Sequence, residues 1–441
     1  MTVTVIGLGK IGLPLAVQFA MKGERVIGVD TNPQVVQLVS RGRVPFTGEP
    51  GLESHLRDVI QSDLLTVATN LEESVPKSEV VVVVVPLVVD DEGVPVFSSM
   101  DDVTKGIARN MQQGTLVIFE TTLPIGTTRN RFTKILEVDS QMTVGIDFFV
   151  AFSPERVLTG RVFSDFRRYP KLVGGVTKSC TSRAAGFYER VFDFDFRADL
   201  ERLNGVWQLS SSEAAEFVKL AETTYRDVNI GLVNQFALYA QGNNLNIYEV
   251  IEAANSQPFS HLHQPGVAVG GHCIPVYPQF YLWNDPNATI VRLAREVNSG
   301  MPRYTASLAS HLFQETKNVK VLILGATYRA GVPELAFSGV FPLYQSLKSL
   351  GCSVEVFDPL LNSEQLETVG LTSLKSNTED FSLVIIQNES NEFRDIFASR
   401  AEWKKLQFII DGRNLFRGVP PLQGVSLQTL GTGISWTSSQ E

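Results

Sequence analysis

The sequence predicts an α/β protein with two strand–helix units and a long helical segment between them. Short β-branched runs alternate with helical patterns through about residue 200, as in a doubly wound parallel sheet. The pattern is helical from residue 210 to about residue 254, and strands alternate with helices again from residue 319. A chain of 441 residues has the length of two or three domains. We expect domains at residues 1–200, 201–305 and 306–441.

The chain begins with a strand–helix–strand unit whose first turn is rich in glycine. An apolar strand leads directly into the run G-L-G-K-I-G at residues 7–12. In a Rossmann fold the first glycine makes the tight turn, the second lets a pyrophosphate approach, and the third lets helix and strand pack. The N-terminus of the next helix adds partial positive charge. The sequence therefore predicts an N-terminal Rossmann domain that binds a dinucleotide through Gly7, Gly9, Lys10, Ile11 and Gly12.

Asp30 indicates which dinucleotide is bound. It ends the second strand, where an acid can hold both hydroxyls of a ribose. No arginine or lysine follows it closely, since the next residues are Thr31, Asn32 and Pro33. A 2′-phosphate would be repelled there, so the sequence predicts NAD rather than NADP.

The remaining elements continue the alternation. Further strands of the first unit are predicted at residues 65–68, 80–85, 115–119, 148–150 and 172–173. Those of the C-terminal unit are predicted at residues 319–325, 353–358, 383–386 and 408–411. This second unit is Rossmann-like but has a single glycine, Gly325, after its first strand, so we do not expect it to bind the redox cofactor. The segment 210–254 is expected to be one long helix, a spine shared between domains or subunits.

Composition excludes several classes of partner. The net charge of −9 leaves no basic footprint for nucleic acid or for an anionic membrane. The longest apolar run, residues 80–89, is too short to span a bilayer and is broken by Pro86. The three cysteines are scattered and odd in number, and the N-terminus lacks the pattern of a signal peptide, so we expect a cytoplasmic protein. No cluster of His, Cys and carboxylates has metal-site spacing, and no metal is predicted.

Cys273 lies near the end of a glycine-rich run, G-V-A-V-G-G-H-C-I-P at residues 266–275. Small residues let the backbone approach a ligand closely. A thiol in such a backbone-built pocket is a candidate covalent nucleophile. Cys180 and Cys352 lack these surroundings and are predicted to be structural core residues. His272 is adjacent to Cys273, so we expect its ring to point away from the sulfur and do not assign it as a base.

Several short motifs along the chain combine glycine or proline with charged or reactive residues. They are E-P-G-L at 49–52, E-T-T-L-P-I-G-T at 120–127, S-P-E-R at 153–156, P-K-L-V-G-G at 170–175, K-L at 219–220 with Y-R-D-V-N at 225–229, G-G-H-C-I-P at 270–275 and D-G-R-N at 411–414. With these motifs the chain resembles the UDP-glucose/GDP-mannose dehydrogenase family over nearly its whole length. Within that family it is most similar to the UDP-N-acetylhexosamine (GlcNAc or ManNAc) 6-dehydrogenases.

The resemblance implies an NAD-dependent oxidoreductase that converts the C6 hydroxymethyl of a UDP-linked hexose or N-acetylhexosamine to a carboxylate. Such an enzyme captures an aldehyde on a cysteine as a thiohemiacetal, oxidises it to a thioester and hydrolyses that thioester. The resemblance also implies a C-terminal domain that binds the nucleotide sugar. It further implies a homodimer formed through the 210–254 helix.

Individual roles follow from the same resemblance. Cys273 matches the nucleophile, and Lys219 matches a lysine that stabilises oxyanion charge. Glu155 matches a general acid or base, and Thr122 a threonine that positions water or cofactor. The further cofactor contacts implied are Val85, Pro86, Thr122 and Arg329. The substrate contacts implied are Glu155, Arg156, Lys219, Gly270 and Arg413.

A plainer interpretation stays open for four of these residues. Lys219 also fits a solvated lysine on the helical spine, and Glu155 fits an acid that stabilises a helix N-terminus. Thr122 also fits an ordinary turn hydroxyl. Arg413 also fits a surface ion-pair partner.

The chain departs from the family pattern at positions that matter for hydrolysis. Tyr277 stands where the family has an aspartate, and a phenol with a pKa of about 10 is a poor base at neutral pH. Thr223 stands where the family has an asparagine that shares the oxyanion role, Arg329 replaces a lysine, and A-F-S at 336–338 replaces Arg-Glu-Ser. Three hypotheses therefore stay open. They are a complete 6-dehydrogenase, an enzyme that stops at an aldehyde or ketone, and a non-catalytic subunit that binds NAD or nucleotide sugar.

Overall fold

The computed structural model describes residues 1–90, 92–390, 392–397, 402–433 and 435–436. The chain forms two compact units. The first unit consists of Met1–Glu222 and Gln279–Asp285, and the second consists of Thr223–Pro278 and Pro286–Glu441. Both units combine helices with a largely parallel sheet, so the predicted α/β class is confirmed. The three domain boundaries drawn from the sequence stay a prediction. Residues 437–441, which the sequence suggests are a frayed tail, lie outside the described residues.

The helices and strands have the following bounds. The strands of the first unit are β1 (Thr2–Ile6), β2 (Arg25–Val29), β3 (Leu65–Ala68), β4 (Val80–Val83), β5 (Val88–Val89), β6 (Pro95–Val96), β7 (Leu116–Phe119), β8 (Phe149–Phe152), β9 (Lys171–Gly175) and β10 (Val206–Gln208). Those of the second unit are β11 (Lys320–Leu324), β12 (Ser353–Phe357), β13 (Leu383–Ile386), β14 (Phe408–Asp411), β15 (Ser426–Thr429) and β16 (Ser435–Trp436). The helices in chain order are α1 (Gly12–Met21), α2 (Pro33–Ser40), α3 (Leu52–Gln61), α4 (Ser98–Asn110), α5 (Lys134–Ser140), α6 (Val162–Arg168), α7 (Lys178–Val191), α8 (Ser212–Gly242), α9 (Ile247–Asn255), α10 (Tyr277–Asn284), α11 (Thr289–Leu312), α12 (Val340–Ser349), α13 (Ser363–Thr368) and α14 (Glu392–Asp395).

The sheet of the first unit positions the predicted cofactor residues. Its strand order is β10-β9-β8-β7-β4-β1-β2-β3. The strand β4 consists of four buried valines, as expected for a strand covered on both faces. The strands β8, β7, β4 and β1 are parallel neighbours, so the loops that follow them emerge at one edge of the sheet. In open α/β sheets ligands bind at this carboxyl edge.

One strand pair corrects the prediction of a fully parallel sheet. The strands β8 and β9 are antiparallel, with Ala151 opposite Gly175 and Phe152 opposite Gly174. A parallel partner requires the chain to cross back to the start of β8, and the connection through residues 153–170, which contains the helix α6, does not do so. The start of β9 therefore lies near the end of β8. This register, extended past β8, places Lys171 beside the loop that contains Glu155.

The second unit contains a six-stranded sheet in the order β12-β11-β13-β14-β15-β16. Its strands are parallel except for the last pair, β15 with β16. The four predicted strands of this unit are confirmed as β11 to β14. The sequence did not predict β15, because Leu427 is its only strongly apolar residue.

The predicted single helix at residues 210–254 is wrong in one respect. The structure has two helices there, α8 and α9, separated at residues 243–246. Asn244 has a φ of 55°, in the left-handed region that asparagine tolerates better than most residues. Asn246 then begins α9 by accepting the N–H of Tyr248 at 3.0 Å. Both asparagines favour the break over a continuous helix.

Two features are absent from the described residues. No helix in that part of the chain combines the length and the apolar content needed to cross a bilayer. No group of three or more His, Cys, Asp and Glu side chains in the same residues is placed to hold a metal ion.

Candidate active site

The glycine turn of the first unit has the geometry of a dinucleotide cradle. Gly7 has a φ of 93°, and a Cβ there would lie 2.9 Å from the carbonyl oxygen of Val84. A Cβ on Gly12 would lie 1.8 Å from the carbonyl oxygen of Gly7. At Gly9, by contrast, no atom of the described residues lies within 4 Å of that position. Only glycine fits the first and third positions, and the open space at the second can admit a pyrophosphate.

Asp30 is held against the same turn. Its Oδ2 accepts the N–H of Leu8 at 2.9 Å, and its Oδ1 accepts the N–H of Asn32 at 2.9 Å. A carboxylate offers about four lone-pair positions, so both oxygens retain capacity for the hydroxyls of a ribose. Lys10 and Ile11 complete the turn immediately before α1. The residues of this turn fit NAD.

Loops from neighbouring strands meet beside this turn. The strand β4 leads to Val85 and Pro86, and β7 leads to the loop that contains Thr122. Thr121 Oγ1 donates to the carbonyl of Val85 at 2.7 Å and joins the two loops. Thr122 itself is buried. The structure thus brings the predicted residues Val85, Pro86 and Thr122 to the carboxyl edge of the sheet.

A buried acid on α8, which the sequence analysis missed, holds the Thr122 loop. Glu216 accepts the N–H of Gly126 at 2.5 Å, the N–H of Thr128 at 2.8 Å and the Thr128 hydroxyl at 2.7 Å. Burial raises the pKa of Glu216 to about 7, although these hydrogen bonds oppose the rise. Its position between Ala215 and Phe217 in the helix, an acid flanked by apolar residues, is the signal that could have identified it.

Glu155 belongs to a buried group of charges. Lys171 Nζ donates to Glu155 Oε2 at 2.8 Å. Glu155 Oε1 accepts the backbone N–H groups of Arg156 at 2.6 Å and Val157 at 3.0 Å. Burial acts to raise the pKa of Glu155, but the charge of Lys171 and these hydrogen bonds outweigh it, so the pKa lies below its ordinary value. Glu155 is therefore a carboxylate at neutral pH.

Glu120 is the second carboxylate on the same lysine. Lys171 Nζ donates to Glu120 Oε2 at 2.7 Å, and the hydroxyl of Tyr188 donates to Glu120 Oε1 at 2.6 Å. Burial raises the pKa of Glu120 to about 7 against the charge of Lys171. Glu120 and Lys171 lie in motifs noted from the sequence, yet no role was predicted for either.

Two further predicted residues lie in the first unit. Arg156 Nη1 donates to Glu222 Oε1 at 2.8 Å, and its Nη2 donates to the Pro170 carbonyl, so these contacts engage its guanidinium within the protein. Lys219 lies on α8 and is only 7% exposed, which does not fit a solvated lysine. Thr223 follows one turn later in α8 and is fully buried.

The cysteine loop of the second unit packs its backbone against an aromatic ring. Cys273 is partly exposed, whereas the other two cysteines are buried. A Cβ on Gly270 would lie 2.7 Å from the Cβ of Tyr328, and a Cβ on Gly271 would lie 2.9 Å from the Tyr328 ring. Gly271 also has a φ of 93°, which disfavours any side chain. Neither glycine of this loop can be replaced without moving Tyr328.

Some of the residues that depart from the family pattern lie beside this loop. The N–H of Gly271 donates to the Ala336 carbonyl at 2.9 Å. The N–H of Tyr277, where α10 begins, donates to the Cys273 carbonyl at 2.9 Å. Arg329 directly follows the tyrosine that packs on the loop. Tyr277 and Ala336, two of the departures, are therefore hydrogen-bonded to the cysteine loop through their backbones.

A buried polar network that the sequence did not reveal holds both ends of the cysteine loop. Asp227 Oδ1 accepts from Arg295 Nη1 at 2.7 Å and from Asn298 Nδ2 at 2.8 Å. Asn298 Oδ1 accepts from Asn234 Nδ2 at 2.9 Å, and Asn234 Oδ1 accepts the N–H of Gly266 at 3.0 Å. Arg295 Nη1 also reaches the carbonyl that directly follows the cysteine, at 3.3 Å. The network links α8 and α11 to the loop.

Arg413 lines a polar cavity of about 680 Å³ in the second unit. The carboxylate of Asp411 accepts the N–H groups of Arg413 at 3.0 Å and Phe416 at 2.9 Å and so shapes the turn that presents the arginine. Burial lowers the pKa of Arg413. Its Nε and the hydroxyl of Tyr248 are buried with no hydrogen-bond partner among the described residues. Unsatisfied donors fit an anionic ligand such as a diphosphate better than a surface ion pair.

Comparison with known proteins covers all three parts of the chain. Sequence models of the UDP-glucose/GDP-mannose dehydrogenase family match residues 1–192 as its NAD binding domain, residues 213–300 as its central domain and residues 322–418 as its UDP binding domain. The UDP-N-acetyl-D-mannosamine dehydrogenase of Pyrococcus horikoshii is 33% identical over 95% of this chain and 97% of its own.

Solved structures share the fold. A UDP-D-ManNAc dehydrogenase from Pyrococcus horikoshii has a TM-score of 0.87 at 30% identity, with 98% of this chain and 100% of that chain covered. The NDP-N-acetyl-D-galactosaminuronic acid dehydrogenase of Methanosarcina mazei Go1 has a TM-score of 0.83 at 26% identity, with 98% and 95% covered.

An NAD-binding domain in the N-terminal part of the sequence and a UDP-binding domain in the C-terminal part define an NAD-dependent UDP-sugar dehydrogenase. This chain belongs to the UDP-glucose/GDP-mannose dehydrogenase family. The predicted cofactor, NAD, and the predicted nucleotide-sugar substrate are confirmed at this level. So is the order of an N-terminal NAD-binding domain and a C-terminal UDP-binding domain.

Proposed function

We propose that this enzyme oxidises the C6 hydroxymethyl of a UDP-linked N-acetylhexosamine to the carboxylate and captures the intermediate on Cys273. One observation carries the proposal: the partly exposed Cys273 ends a loop whose glycines leave the backbone itself as the pocket wall. The Pyrococcus relative is named for UDP-N-acetyl-D-mannosamine. We therefore propose this sugar first, and its GlcNAc epimer or a plain UDP-hexose second.

The chemistry centres on a covalent adduct. NAD, when bound, accepts hydride from the C6 carbon. The thiolate of Cys273 adds to the aldehyde carbon and forms a thiohemiacetal, which keeps the reactive aldehyde from leaving. Oxidation of this adduct gives a thioester, and water then cleaves its C–S bond and restores the thiol. In total, one alcohol, two NAD and one water give one carboxylate, two NADH and three protons.

Three charged residues are proposed to act on the charges of the substrate and of the intermediates. Lys219, a buried lysine, stabilises the oxyanion that forms when the thiolate adds to the aldehyde and the one that forms when water adds to the thioester. Arg413 holds the diphosphate in its cavity with donors that the protein leaves unsatisfied. Glu155 orients the hydrolytic water as a carboxylate, and its lowered pKa makes it a weak base. With Tyr277 in place of an aspartate, thioester hydrolysis is expected to be the slow step.

The experiment is a panel of UDP-sugars in which NADH formed is counted per sugar consumed, with the product identified by mass. Two NADH per sugar and a carboxylate product are expected. Cys273→Ser should abolish formation of the carboxylate. Cys352→Ala is the matched control, because Cys352 is buried elsewhere in the second unit and should leave the stoichiometry unchanged. Full conversion by Cys273→Ser would contradict the covalent mechanism.

Thr223 and Tyr277 favour one alternative outcome. If hydrolysis has been lost with these departures, the four-electron route would stall at the thioester, so the enzyme could turn over only by releasing the product of one oxidation, an aldehyde from a primary hydroxyl or a ketone from a secondary one. The same panel would then give one NADH per sugar and a carbonyl product. No NADH with any sugar, together with saturable binding of NAD or UDP-sugar, would instead support a non-catalytic subunit.

We also propose a homodimer formed through the 210–254 segment, now α8 and α9. Tyr225, Leu232 and Tyr239 lie seven residues apart on α8 and are 57%, 45% and 66% exposed. Apolar residues at this spacing form a stripe typical of helix–helix interfaces. Leu232→Glu should halve the mass measured by light scattering, whereas Leu360→Glu, at an exposed leucine elsewhere, should not. The cytoplasmic location stays a prediction.

A further inference from the structure

A buried lysine in the first unit bridges two carboxylates, and the proposed reaction gives it no task. Lys171 is 6% exposed, and its Nζ contacts Glu120 Oε2 at 2.7 Å and Glu155 Oε2 at 2.8 Å. Its ammonium also lies 4.8 Å from the centroid of the Tyr188 ring and 5.5 Å from that of Phe192. A buried lysine is costly unless its charge is compensated, so its retention here calls for a reason.

Full ionisation of Lys171, Glu120 and Glu155 would leave their charges unbalanced inside the protein, which is unfavourable. One ammonium faces two carboxylates inside the protein, which leaves one excess negative charge. Arg156, the cation next to Glu155 in the sequence, donates to Glu222 and to the Pro170 carbonyl. Burial of two carboxylates near one another favours protonation of one of them.

The hydrogen bonds decide which carboxyl carries the proton. Glu155 receives two backbone N–H groups in addition to Lys171, and all three donors favour its anion. Glu120 receives Lys171 and the Tyr188 hydroxyl, and it is the more deeply buried acid. Burial raises the pKa of Tyr188 well above its ordinary value, so the phenol remains a donor. The pKa values agree, since that of Glu120 is raised to about 7 and that of Glu155 is lowered.

We infer that Lys171 is a positioning residue that keeps Glu155 ionised and leaves Glu120 as the member of the pair that takes up a proton. The inference rests on the proposed function, in which Glu155 acts on the reacting groups as a carboxylate. The overall oxidation releases protons, so a carboxylate that stays ionised beside a proton-accepting partner suits it. Lys171 acts through Glu155 and is given no contact with substrate.

The pH dependence of NADH formation tests this role. Lys171→Met removes the cation, and the acid limb of the rate profile should move up by about one pH unit or more, because Glu155 loses the charge that lowers its pKa. Lys171→Arg keeps a cation and should restore the wild-type limb. Lys375→Met is the control, because it removes a lysine from the exposed pair with Glu367 and should leave the profile unchanged. A uniform loss of rate in Lys171→Met, with the limb in place, would overturn the inference.

A second variant guards against failure of Lys171→Met to fold. Glu120→Gln puts a neutral side chain where Glu120 already carries a proton at the pH at which Glu155 titrates, so the acid limb should stay in place. An acid limb displaced by about one pH unit or more in either direction would contradict the inference.

A measurement without substrate separates this inference from the proposed function. The infrared C=O band of a protonated carboxyl should titrate near pH 7 in the wild type, and the difference from Glu120→Gln should isolate the share of Glu120. In Glu155→Gln that band should still appear at acid pH but titrate at a lower pH than in the wild type, because Glu120 then faces no second carboxylate. Loss of the band in Glu155→Gln rather than in Glu120→Gln would overturn the assignment of the proton. If no sugar yields NADH, the proposed function fails while this titration still tests Lys171.

Discussion

Removal of the Arg295 guanidinium should lower the free energy of unfolding by several kcal/mol. Arg295 Nη1 lies 2.7 Å from Oδ1 of Asp227, and their side chains are 11% and 0% exposed. Loss of one partner of a buried ion pair costs about 3–5 kcal/mol, because the other charge stays buried without compensation. Arg295→Met keeps most of the aliphatic stem, so the effect reports mainly on charge.

The pH dependence of this loss has a defined sign. Burial already raises the pKa of Asp227 against the opposing charge of Arg295. Arg295→Met should raise that pKa further, so the folded variant binds a proton that the unfolded chain has released. Its stability therefore falls as pH rises above the unfolded pKa of an aspartate. The deficit relative to wild type should be larger at pH 7 than at pH 5.

Urea unfolding at both pH values measures the effect. Arg292→Met is the matched control on the same helix, because its pair with Glu296, at 3.3 Å, is exposed on both sides and should be worth at most about 1 kcal/mol. Adding Asp227→Asn to Arg295→Met should recover part of the loss, since an amide needs no cation. Equal losses in Arg295→Met and Arg292→Met, or a deficit that does not depend on pH, would refute the reasoning.

Three further predictions follow from the site. Gly271→Ala should lower the free energy of unfolding in urea by about 1–3 kcal/mol, because the φ of Gly271 is 93° and the new Cβ would lie 2.9 Å from the Tyr328 ring. Gly300→Ala is the control on α11, where a Cβ meets open space, and it should raise the free energy of unfolding by roughly 0.5–1 kcal/mol. Similar effects of the two substitutions would contradict the packing argument. Glu216 has a pKa raised from 4.5 to about 7, so wild type should lose roughly 3 kcal/mol relative to Glu216→Gln as pH rises across that range, and parallel stability profiles would exclude this. Tyr277→Asp should leave the first-turnover burst of NADH unchanged and raise the steady-state rate, by up to the roughly 10²–10⁴-fold that a general base supplies; a wild type without a burst would argue against slow hydrolysis.

Contiguous sequence was sufficient for the cofactor end. The G-L-G-K-I-G turn and Asp30 lie within one strand–helix–strand unit, and their geometry depends on nearby residues. The turn therefore adopts the predicted cradle, with Asp30 bonded to Leu8 and Asn32. Short apolar runs likewise predicted β11 to β14, because each strand is a local pattern.

Tertiary structure alone decided the rest. An apolar run does not indicate the direction in which a strand pairs. The antiparallel pairing of β9 brings Lys171 to Glu155 and to Glu120, which is 51 residues away in sequence. The link between Asp227 and Arg295 spans 68 residues and depends on how α8 packs on α11. Periodicity reports which face of an element is apolar. The protonation of a carboxyl and the anchoring of a loop depend on polar partners that only the folded chain brings within hydrogen-bonding distance.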